Sequence, residues 1–548
     1  MSRNTKPILM GWTRFFRKDF GMKKTTKFFM AIIAFFIFGG CGVGFAPSAL
    51  DPYFHTILTE TTPYSQALPQ TPISPTPGGT LRLSMPLPRT LNPLLNSDPY
   101  VAQILKLIFE PVVIFDNEKR PVPNPAIIQN IVFAPSGQTV NITLHENIFW
   151  EDGVAITSAD IAFSIDVLRN HAPQTAVYHQ NATFIASHDI IDTQTIHLTL
   201  NAPMWRMMYY FDFPIIPAHY YTGVPMSNLA HARNMHPVGN GAFRFYSHTT
   251  ASRLELIASA YAPGGRAYID QVTVAILRNF DDALHSFEQG VSDAFVGYVS
   301  QLGRFHSLGK NMVGTSFGHE FDFVGFNNSS LFFNDLAMRS AISAFLPANQ
   351  LPIHPNTWLA TDTPPLDPAS FAELGFTLGE HDILERRPAP GLSFAPFAIT
   401  VIVNEENSRA VNTANNLHEQ LTAQGVAVSL YTLSHADFLA RLNAGTFDLM
   451  IGSIDLGFKP SLEFLRNYSF LGFNSSNFNR LLDDINLATN ESAFVYAMHR
   501  AQEYIAYNLP IIGLGFAELG FFVGPRIHGN FSPSGHSFFV GTSSWFIH

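Results

Sequence analysis

The pentapeptide GTSFG at residues 314–318 is the first segment of this 548-residue chain whose residue types and spacing could do chemistry. It fits the pattern G-x-S-x-G, in which hydrolases hold a serine nucleophile on a sharp turn between a strand and a helix. The segment that follows, FDFVGF at residues 321–326, alternates like a strand and not like a helix. Ser316 therefore lacks the sequence context of a nucleophile, and we expect no catalytic residue and no enzyme.

The 21 histidines and the single cysteine are the other residues to consider for chemistry. Metal sites draw on clusters of His, Cys and carboxylates, such as two histidines four residues apart on one helix face. The histidines of this chain are scattered and no pair has that spacing. The sequence therefore predicts neither a metal nor a cofactor, and His219 is interpreted as a structural histidine on the turn before a helix.

A strand, a turn and a helix follow one another between residues 140 and 169. Residues 140–144, VNITL, alternate apolar and polar side chains as a strand does. The Asp-Gly pair at 152–153 supplies a turn, and Thr157 with Asp160 three residues later is a capping-box signature. The predicted apolar face of the helix consists of Ile161, Ile165 and Leu168.

Residues 399–454 alternate between strand and helix patterns. The predicted strands are residues 399–403, 426–430 and 447–451. The two helical segments between them end at Gly425 and Gly445, as helices often do. This order implies a parallel sheet with right-handed crossovers. No glycine-rich phosphate motif follows the first strand, which disfavours a nucleotide-binding fold.

Composition limits the number of domains and the kinds of partner. Hydrophobic residues make up 46% of the chain and charged residues 14%, with 50 phenylalanines. A chain of about 500 residues exceeds a single core, so two or three lobes are expected. Residues 1–40 hold eight of the 32 basic residues and one of the 42 acidic residues, which leaves the remainder with a net charge of −17. Such a chain repels phosphate backbones, so we expect no nucleic-acid partner.

The N-terminal segment is typical of an export signal. A basic stretch precedes the apolar run 28–38, which is shorter than the about 20 residues of a membrane span. Residues 38–41, FGGC, resemble the lipobox of bacterial lipoprotein signals, with Phe where Leu is usual. We predict a signal peptide over residues 1–40, with Met22 as an alternative start, and lipidation of Cys41; a plain signal peptide or a short anchor is the alternative. Residues 41–79 are predicted to form a flexible linker.

Several segments together resemble one protein family. Residues 149–164, FWEDGVAITSADIAFS, resemble the pattern F-W-x-D-G-x-x-x-T-A-x-D-V-x-F-S of the peptide/nickel-type (family 5) solute-binding proteins, the extracytoplasmic receptors of ABC importers. Further blocks follow in family order, among them PVGNGAFRF at 237–245 and FNDLAMRSAI at 333–342. Arg339 in the latter block is interpreted as a structural residue that pairs with local carbonyls or carboxylates. The resemblance covers residues 78 to about 532.

The resemblance implies an α/β fold of the periplasmic-binding-protein-like type (class II), with two α/β lobes joined by hinge strands and an extra family-specific lobe. The implied boundaries are residues 80–110 with 235–325 and 519–548 for lobe I, 111–234 for the extra lobe II, and 326–518 for lobe III.

The resemblance also implies a function. It implies a monomeric, lipid-anchored binding protein on the outer side of the bacterial cytoplasmic membrane or in the periplasm. Such a protein captures oligopeptides or a related small solute between its lobes and delivers them to an ABC transporter permease. A metal-chelate (nickel-type) binding protein and a non-transport accessory lipoprotein of the same fold are the open alternatives.

The resemblance also indicates where a ligand would be held. The family anchors the α-amino group of a peptide on the acidic residue of W-x-A-D-Y-x-x-P, and the matching region here is GSIDLGFKP at 452–460. Gly457 takes the acidic position and Phe458 the aromatic one. Asp455, two residues upstream, substitutes for the anchor if the segment is extended, since period two keeps both on one face; the alternative is that Asp455 caps a turn. The candidate ligand-binding residues are Asp455, Phe458 and Asn327.

Overall fold

A computed structural model describes residues 74–548, apart from residues 250, 300–301, 347–350, 353–358, 361–367, 387–392, 458, 460 and 535–536. The predicted signal peptide, Cys41, most of the predicted linker and Phe458 lie outside the described residues. No helix among the described residues is both long and apolar enough to cross a lipid bilayer.

The strands are numbered here in chain order. They are β1 Thr80–Pro86, β2 Val113–Phe115, β3 Pro121–Pro123, β4 Ile128–Phe133, β5 Thr139–Leu144, β6 Ile185–Ile190, β7 Thr195–Leu200, β8 Phe243–Thr249, β9 Arg253–Ala258, β10 Gln271–Leu277, β11 Ala294–Tyr298, β12 Asn311–Phe326, β13 Thr377–Leu378, β14 Leu384–Arg386, β15 Ala395–Pro396, β16 Ala398–Asn404, β17 Ala427–Leu433, β18 Leu449–Asp455, β19 Ile511–Val523, β20 Ile527–His528 and β21 Phe546–Ile547.

The helices connect and cover these strands. The α-helices are Pro99–Leu105, Ser158–Asn170, Ala218–Tyr221, Ala232–Met235, Phe280–Glu288, Leu302–Ser307, Leu336–Ser343, Ser408–Ala423, His435–Ala444, Phe464–Asn467, Ser476–Asn486 and Glu491–Asn508. The 3₁₀ helices are His179–Ala182, Trp205–Tyr210, Glu380–Asp382, Ser469–Leu471 and Thr542–Ser544.

The first sheet has the strand order β1-β10-β9-β8. β1 runs parallel to β10, and the remaining pairs are antiparallel. In β1 every second residue is buried, which places Leu81, Leu83 and Met85 in the core. The C-terminal region joins this sheet through Asp293, whose buried carboxylate accepts hydrogen bonds from Arg82 of β1 at 2.6 Å and from Arg526 at 2.8 Å.

The antiparallel sheet β4-β5-β7-β6 carries the helix Ser158–Asn170 on one side. The predicted capping box is confirmed, since the carboxylate of Asp160 accepts a hydrogen bond from the Thr157 backbone N–H at 2.8 Å. The same buried carboxylate accepts bonds from Ala218 N–H at 2.8 Å and from the indole of Trp150 at 3.3 Å. The predicted apolar face is confirmed as well: Ile161, Ile165 and Leu168 are buried.

The largest sheet has the order β11-β19-β12-β18-β16-β17. The long strands β12 and β19 are antiparallel neighbours. The C-terminal part of β19 also pairs with β11, and the C-terminal part of β12 also pairs with β18. β16 runs parallel to both β17 and β18, so the predicted parallel strand–helix arrangement is confirmed. The two long strands β12 and β19 lie side by side at the centre of this sheet, and the α/β prediction is correct.

The two glycines of PVGNGAFRF serve packing rather than a turn, since neither Gly239 nor Gly241 has a positive φ. The absence of a side chain lets this segment pack closely against the backbone at Ile108, because a Cβ on Gly239 would lie 2.2 Å from the carbonyl oxygen of Ile108. His219 lies within the short helix Ala218–Tyr221 rather than before it.

The segment around Ser316 is part of the continuous strand β12. A nucleophile elbow needs a strand that ends in a sharp turn and leads into a helix. Because the strand runs through Ser316 to Phe326, that turn is not formed here.

Candidate ligand-binding cleft at the end of the central sheet

The carboxyl end of β18 leaves one strand edge open. β16 pairs with β18 only over residues 449–451, whereas β12 pairs with β18 as far as Asp455. Among the described residues, no strand pairs with the other edge of residues 452–455. Open α/β sheets bind their ligands at the carboxyl ends of parallel strands, so this edge is the candidate binding site.

A polar network surrounds the open edge. Arg409, in the first turn of the helix Ser408–Ala423, pairs with Glu320 at 2.6 Å and with Asp322 at 2.8 Å. The hydroxyl of Ser453 donates to Asp322, and the side-chain amide of Asn407 donates to that hydroxyl at 2.6 Å. Burial lowers the pKa of Arg409, but the two carboxylates outweigh it and raise that pKa. The network holds the end of β18 against β12 and the helix.

Asp455 lies at the last position of β18, opposite Glu320 on β12. Its carboxylate contacts Nδ1 of His319 at 2.6 Å and accepts a hydrogen bond from the Gly457 N–H at 2.8 Å. Burial raises the pKa of Asp455, but the bonds from His319 and Gly457 N–H outweigh it and lower that pKa. Burial alone would lower the pKa of His319. The hydrogen bond to Asp455 and its negative charge outweigh burial and raise that pKa.

The two roles weighed for Asp455 from the sequence do not exclude each other. Asp455 caps the turn at Gly457, which has the left-handed φ of +60°. Its side chain nevertheless stays 45% exposed and that of His319 40% exposed, so a ligand can reach both. Asp455 can therefore hold the turn and still offer a carboxylate oxygen to a ligand.

The charges at this edge favour a cationic ligand group. Glu320, Asp322 and Asp455 supply three carboxylates, against the guanidinium of Arg409 and the imidazole of His319. The sum is negative whether or not His319 is protonated. An ammonium group is attracted by such a field and fits the exposed oxygen of Asp455. Among the described residues, no group of three or more His, Cys, Asp or Glu is arranged to hold a metal ion.

Asn327 lies apart from the carboxyl end of β18. It is buried, and its side-chain amide donates to the backbone oxygens of Phe447 at 2.9 Å and Gly445 at 3.2 Å. In the register of β12 and β18, Phe326 lies opposite Leu449, six residues from the Asp455 end. Six strand residues span about 20 Å. Asn327 and Asp455 therefore lie at opposite ends of the paired strands, and the ligand-binding roles of Asn327 and Phe458 stay predictions.

Asn327 instead lines an open, polar pocket of about 660 Å³ at the opposite end of the same strands. The pocket is also lined by Ser329, Thr400, Asp448, Ser469 and Gly472. Its single described carboxylate, Asp448, already accepts a hydrogen bond from the Thr400 N–H at 2.8 Å. The charged side chains that a ligand can reach lie at the carboxyl end of β18, which is therefore the stronger candidate for the ligand site.

The loop after β18 connects the sheet to a distant part of the chain. The ammonium of Lys459 lies 2.8 Å from Oδ1 of Asn181 and 3.7 Å from Oδ1 of Asp212. It also lies 4.6 Å from the centre of the Tyr210 ring. These partners are on the 3₁₀ helices His179–Ala182 and Trp205–Tyr210 or close after them, so the loop after β18 contacts a segment 278 residues away in the chain.

Sequence reasoning missed Arg409 and its two carboxylates, although the sequence holds a signal for them. A cation in the first turn of a helix opposes the helix dipole, which favours acidic residues there. Arg409 at that position indicates an acidic partner elsewhere in the chain. The two acids at positions 320 and 322, within the apolar segment EFDFVGF, indicate a basic partner in the same way. Neither signal says that they pair with each other.

Part of the sequence and the overall fold are similar to those of known proteins. Residues 123–352 match the family model of bacterial extracellular solute-binding proteins, family 5 Middle. A protein of Brucella ovis that is named for an ABC transporter peptide-binding role is 26% identical over 239 residues, which cover 42% of this chain and 44% of the relative. The alignment thus spans less than half the length of that relative.

Two solved structures share the fold. The oligopeptide-binding protein AppA of Bacillus subtilis, solved with a nonapeptide, is 17% identical with a TM-score of 0.59, covering 87% of this chain and 100% of AppA. NikA of Brucella suis, solved with Fe(III)-EDTA, is 17% identical with a TM-score of 0.66, covering 86% of this chain and 100% of NikA. Together with the matched sequence blocks, these findings show that residues 123–352 are similar to the bacterial extracellular solute-binding proteins of family 5 and that the chain shares the fold of these two binding proteins.

Proposed function

We propose that this protein is the extracytoplasmic substrate-binding component of an ABC importer and that it captures peptides in the cleft at the carboxyl end of β18. The observation that carries the proposal is the open edge at residues 452–455 next to the exposed carboxylate of Asp455. An extended peptide can add its backbone to an open strand edge whatever its side chains are. Its α-ammonium group then meets the negative field around Asp455.

Delivery to a permease requires that the ligand change the conformation of the protein in a way that the importer can recognise. A ligand favours the closed arrangement only if it contacts both lobes and so stabilises that state more than the open one. The contacts of Lys459 with Asn181 and Asp212 support the proposal, because they bring a distant segment of the chain next to the loop that follows Asp455. We propose that the peptide closes the lobes and that the closed monomer docks on its permease.

The N-terminal segment supports a location outside the cytoplasm. We propose that residues 1–40 direct export and that Cys41 carries a lipid that holds the protein on the outer side of the cytoplasmic membrane. The linker keeps the receptor near its permease, since about 36 flexible residues typically span about 30–35 Å. Mass spectrometry of the protein from its membrane fraction, with Cys41→Ser as the control, tests the lipid directly.

Native mass spectrometry tests the ligand. The chain without residues 1–40, with Cys41→Ser to prevent lipidation, is exposed to a random peptide mixture and separately to nickel with histidine. Adducts of peptide mass together with a higher Tm support the proposal, because a ligand that binds only the folded state must stabilise it. Adducts with nickel–histidine alone would indicate a chelate receptor. Neither adduct nor thermal shift would contradict solute capture and favour an accessory lipoprotein.

A further inference from the structure

The open pocket near the amino ends of β16 and β18 offers many polar groups that the fold does not use. Its volume of about 660 Å³ lies within the range of small-molecule sites. Five of the neutral polar side chains that line it have no hydrogen-bond partner among the described residues: Ser329, Thr400, Asn443, Thr446 and Ser469. All five are exposed or half-buried, so a ligand in the pocket can reach them.

The walls of the pocket are held in place by the fold. The side-chain amide of Asn327 donates to two backbone oxygens of residues 445–447, which fixes the loop on one side. Gly472 has the left-handed φ of +62°, and a Cβ there would lie 2.5 Å from the hydroxyl oxygen of Ser329. This close approach of two segments shapes a second wall. Groups that are already ordered bind a ligand at a lower entropic cost.

The charge of the pocket disfavours anions. Asp448 is the one titratable side chain among the described residues that line it. Its Oδ2 accepts from the Thr400 N–H at 2.8 Å, while its Oδ1 has no hydrogen-bond partner in the described part of the chain. The helix His435–Ala444 also ends here, since Asn443 lines the pocket, and the carboxyl end of a helix carries partial negative charge. An anion is therefore repelled, and the neutral groups that outnumber Asp448 favour an uncharged ligand.

The available groups match a ligand with several hydroxyl groups. Serine and threonine hydroxyls and the asparagine amide both donate and accept, and a carboxylate accepts. A sugar presents hydroxyl groups that donate and accept at several points around one ring. The ring of Phe470 also lines the pocket, 4.8 Å from the ring of Tyr468. An aromatic face carries partial negative charge, so it attracts the polarised C–H groups on the apolar face of a sugar.

We propose that this pocket is a carbohydrate site, separate from the cleft at Asp455, and that it takes a neutral sugar. Asp448 and Asn443 hydrogen-bond the hydroxyl groups, and Phe470 packs against the apolar face of the sugar ring. Asp455 follows Asp448 by seven residues along β18, which span about 23 Å, so one small ligand does not reach both. The inference goes beyond the proposed function and does not rest on it.

Saturation-transfer NMR tests the class of ligand, because it detects even weak binding. The chain without residues 1–40, with Cys41→Ser, is mixed with a set of neutral mono- and disaccharides. We expect saturation transfer to at least one of these sugars. Gluconate, a polyol that carries a carboxylate, should not displace that sugar. The inference is overturned if none of the neutral sugars shows transfer, or if gluconate displaces the bound sugar at equal concentration.

Two variants assign the sugar to the pocket. Asp448→Asn keeps an oxygen that accepts from the Thr400 N–H but removes the charge, and it should raise the Kd at least about tenfold. Asn443→Ala removes an exposed amide and should raise the Kd about threefold or more. Asp484→Asn and Asn170→Ala, at exposed positions on two other helices, are the matched controls and should leave the Kd unchanged.

Both losses are required. An unchanged Kd in both variants would place the sugar elsewhere on the protein and overturn the inference. A loss in Asp448→Asn alone would indicate an effect on the fold through the bond to Thr400, and it would overturn the inference as well. Urea unfolding confirms that the variants fold. Peptide binding is measured separately by native mass spectrometry, so failure of the sugar test leaves peptide capture standing, and failure of peptide capture leaves the carbohydrate site standing.

Discussion

Replacement of Asp455 by Asn tests the acidic end of the cleft. Asparagine keeps the size of the side chain and the oxygen that accepts from the Gly457 N–H, but it removes the negative charge. A hydrogen bond to a charged group contributes about 1.5–3 kcal/mol, which corresponds to about a tenfold to 150-fold change in Kd. We therefore expect Asp455→Asn to weaken binding of peptides with a free α-ammonium group by that factor.

Because His319 contacts Asp455, the affinity for peptides should also depend on pH. The contact with Asp455 raises the pKa of His319, and protonated His319 competes with a ligand ammonium for that carboxylate. Binding of the ammonium therefore releases a proton when His319 is charged. Peptide affinity should fall as the pH falls through the raised pKa of His319, by at most about tenfold per pH unit. His319→Gln should remove this dependence while it keeps the carboxylate.

Isothermal titration calorimetry between pH 5 and pH 8 measures both effects, with a peptide taken from the native mass spectrometry and its N-acetylated form. Asp484→Asn, which removes an exposed charge from the helix Ser476–Asn486, is the matched control. An unchanged affinity in Asp455→Asn would contradict the proposed role of this carboxylate. So would an acetylated peptide that loses as much affinity in this variant as the free peptide does.

Three further predictions concern stability and are checked by urea unfolding. Asp293→Asn should cost about 3 kcal/mol at pH 7, since it leaves two arginines without their buried partner. The bonds from those arginines outweigh burial and lower the pKa of Asp293, so the difference should be lost as the pH falls below 3.8 through that folded pKa. Gly239→Ala should cost about 3 kcal/mol because of the overlap with the Ile108 oxygen, whereas Gly223→Ala, at a φ of +79° with open space around it, should cost about 1 kcal/mol. Burial raises the pKa of Glu151 from 4.5 to about 7, so the free energy of unfolding falls as the pH rises through that interval. Glu151→Gln should therefore raise the free energy of unfolding by up to about 3 kcal/mol at pH 8 and by little at pH 4.

Much of the fold could be predicted from local patterns. The capping box of Thr157 and Asp160, the strand that precedes it and the parallel strands β16, β17 and β18 depend on residues a few positions apart, and the structure confirms them. Side-chain period and capping chemistry act within one element, so the sequence alone contains the information needed. The family blocks add the order of the elements along the chain.

Arg339 shows where local information stops. Its structural role was predictable, and its guanidinium does donate to the nearby carbonyl of Phe333 at 2.7 Å. It also donates to the carbonyl of Leu509 at 2.9 Å, across a separation of 170 residues. A buried guanidinium needs several acceptors, but only packing of the chain decides which part of it supplies them.

The candidate site was decided almost entirely by the tertiary structure. Asp455 was identified from the sequence, but Arg409 meets Asp322 across 87 residues and Lys459 meets Asn181 across 278. Such pairs are set by the register of β12 against β18 and by the packing of segments that are distant in the chain, and a shift of a single residue in that register would turn each side chain to the opposite face. The sequence by itself determined many of the elements and the family resemblance, while only the folded chain decided which charges lie together at the end of β18.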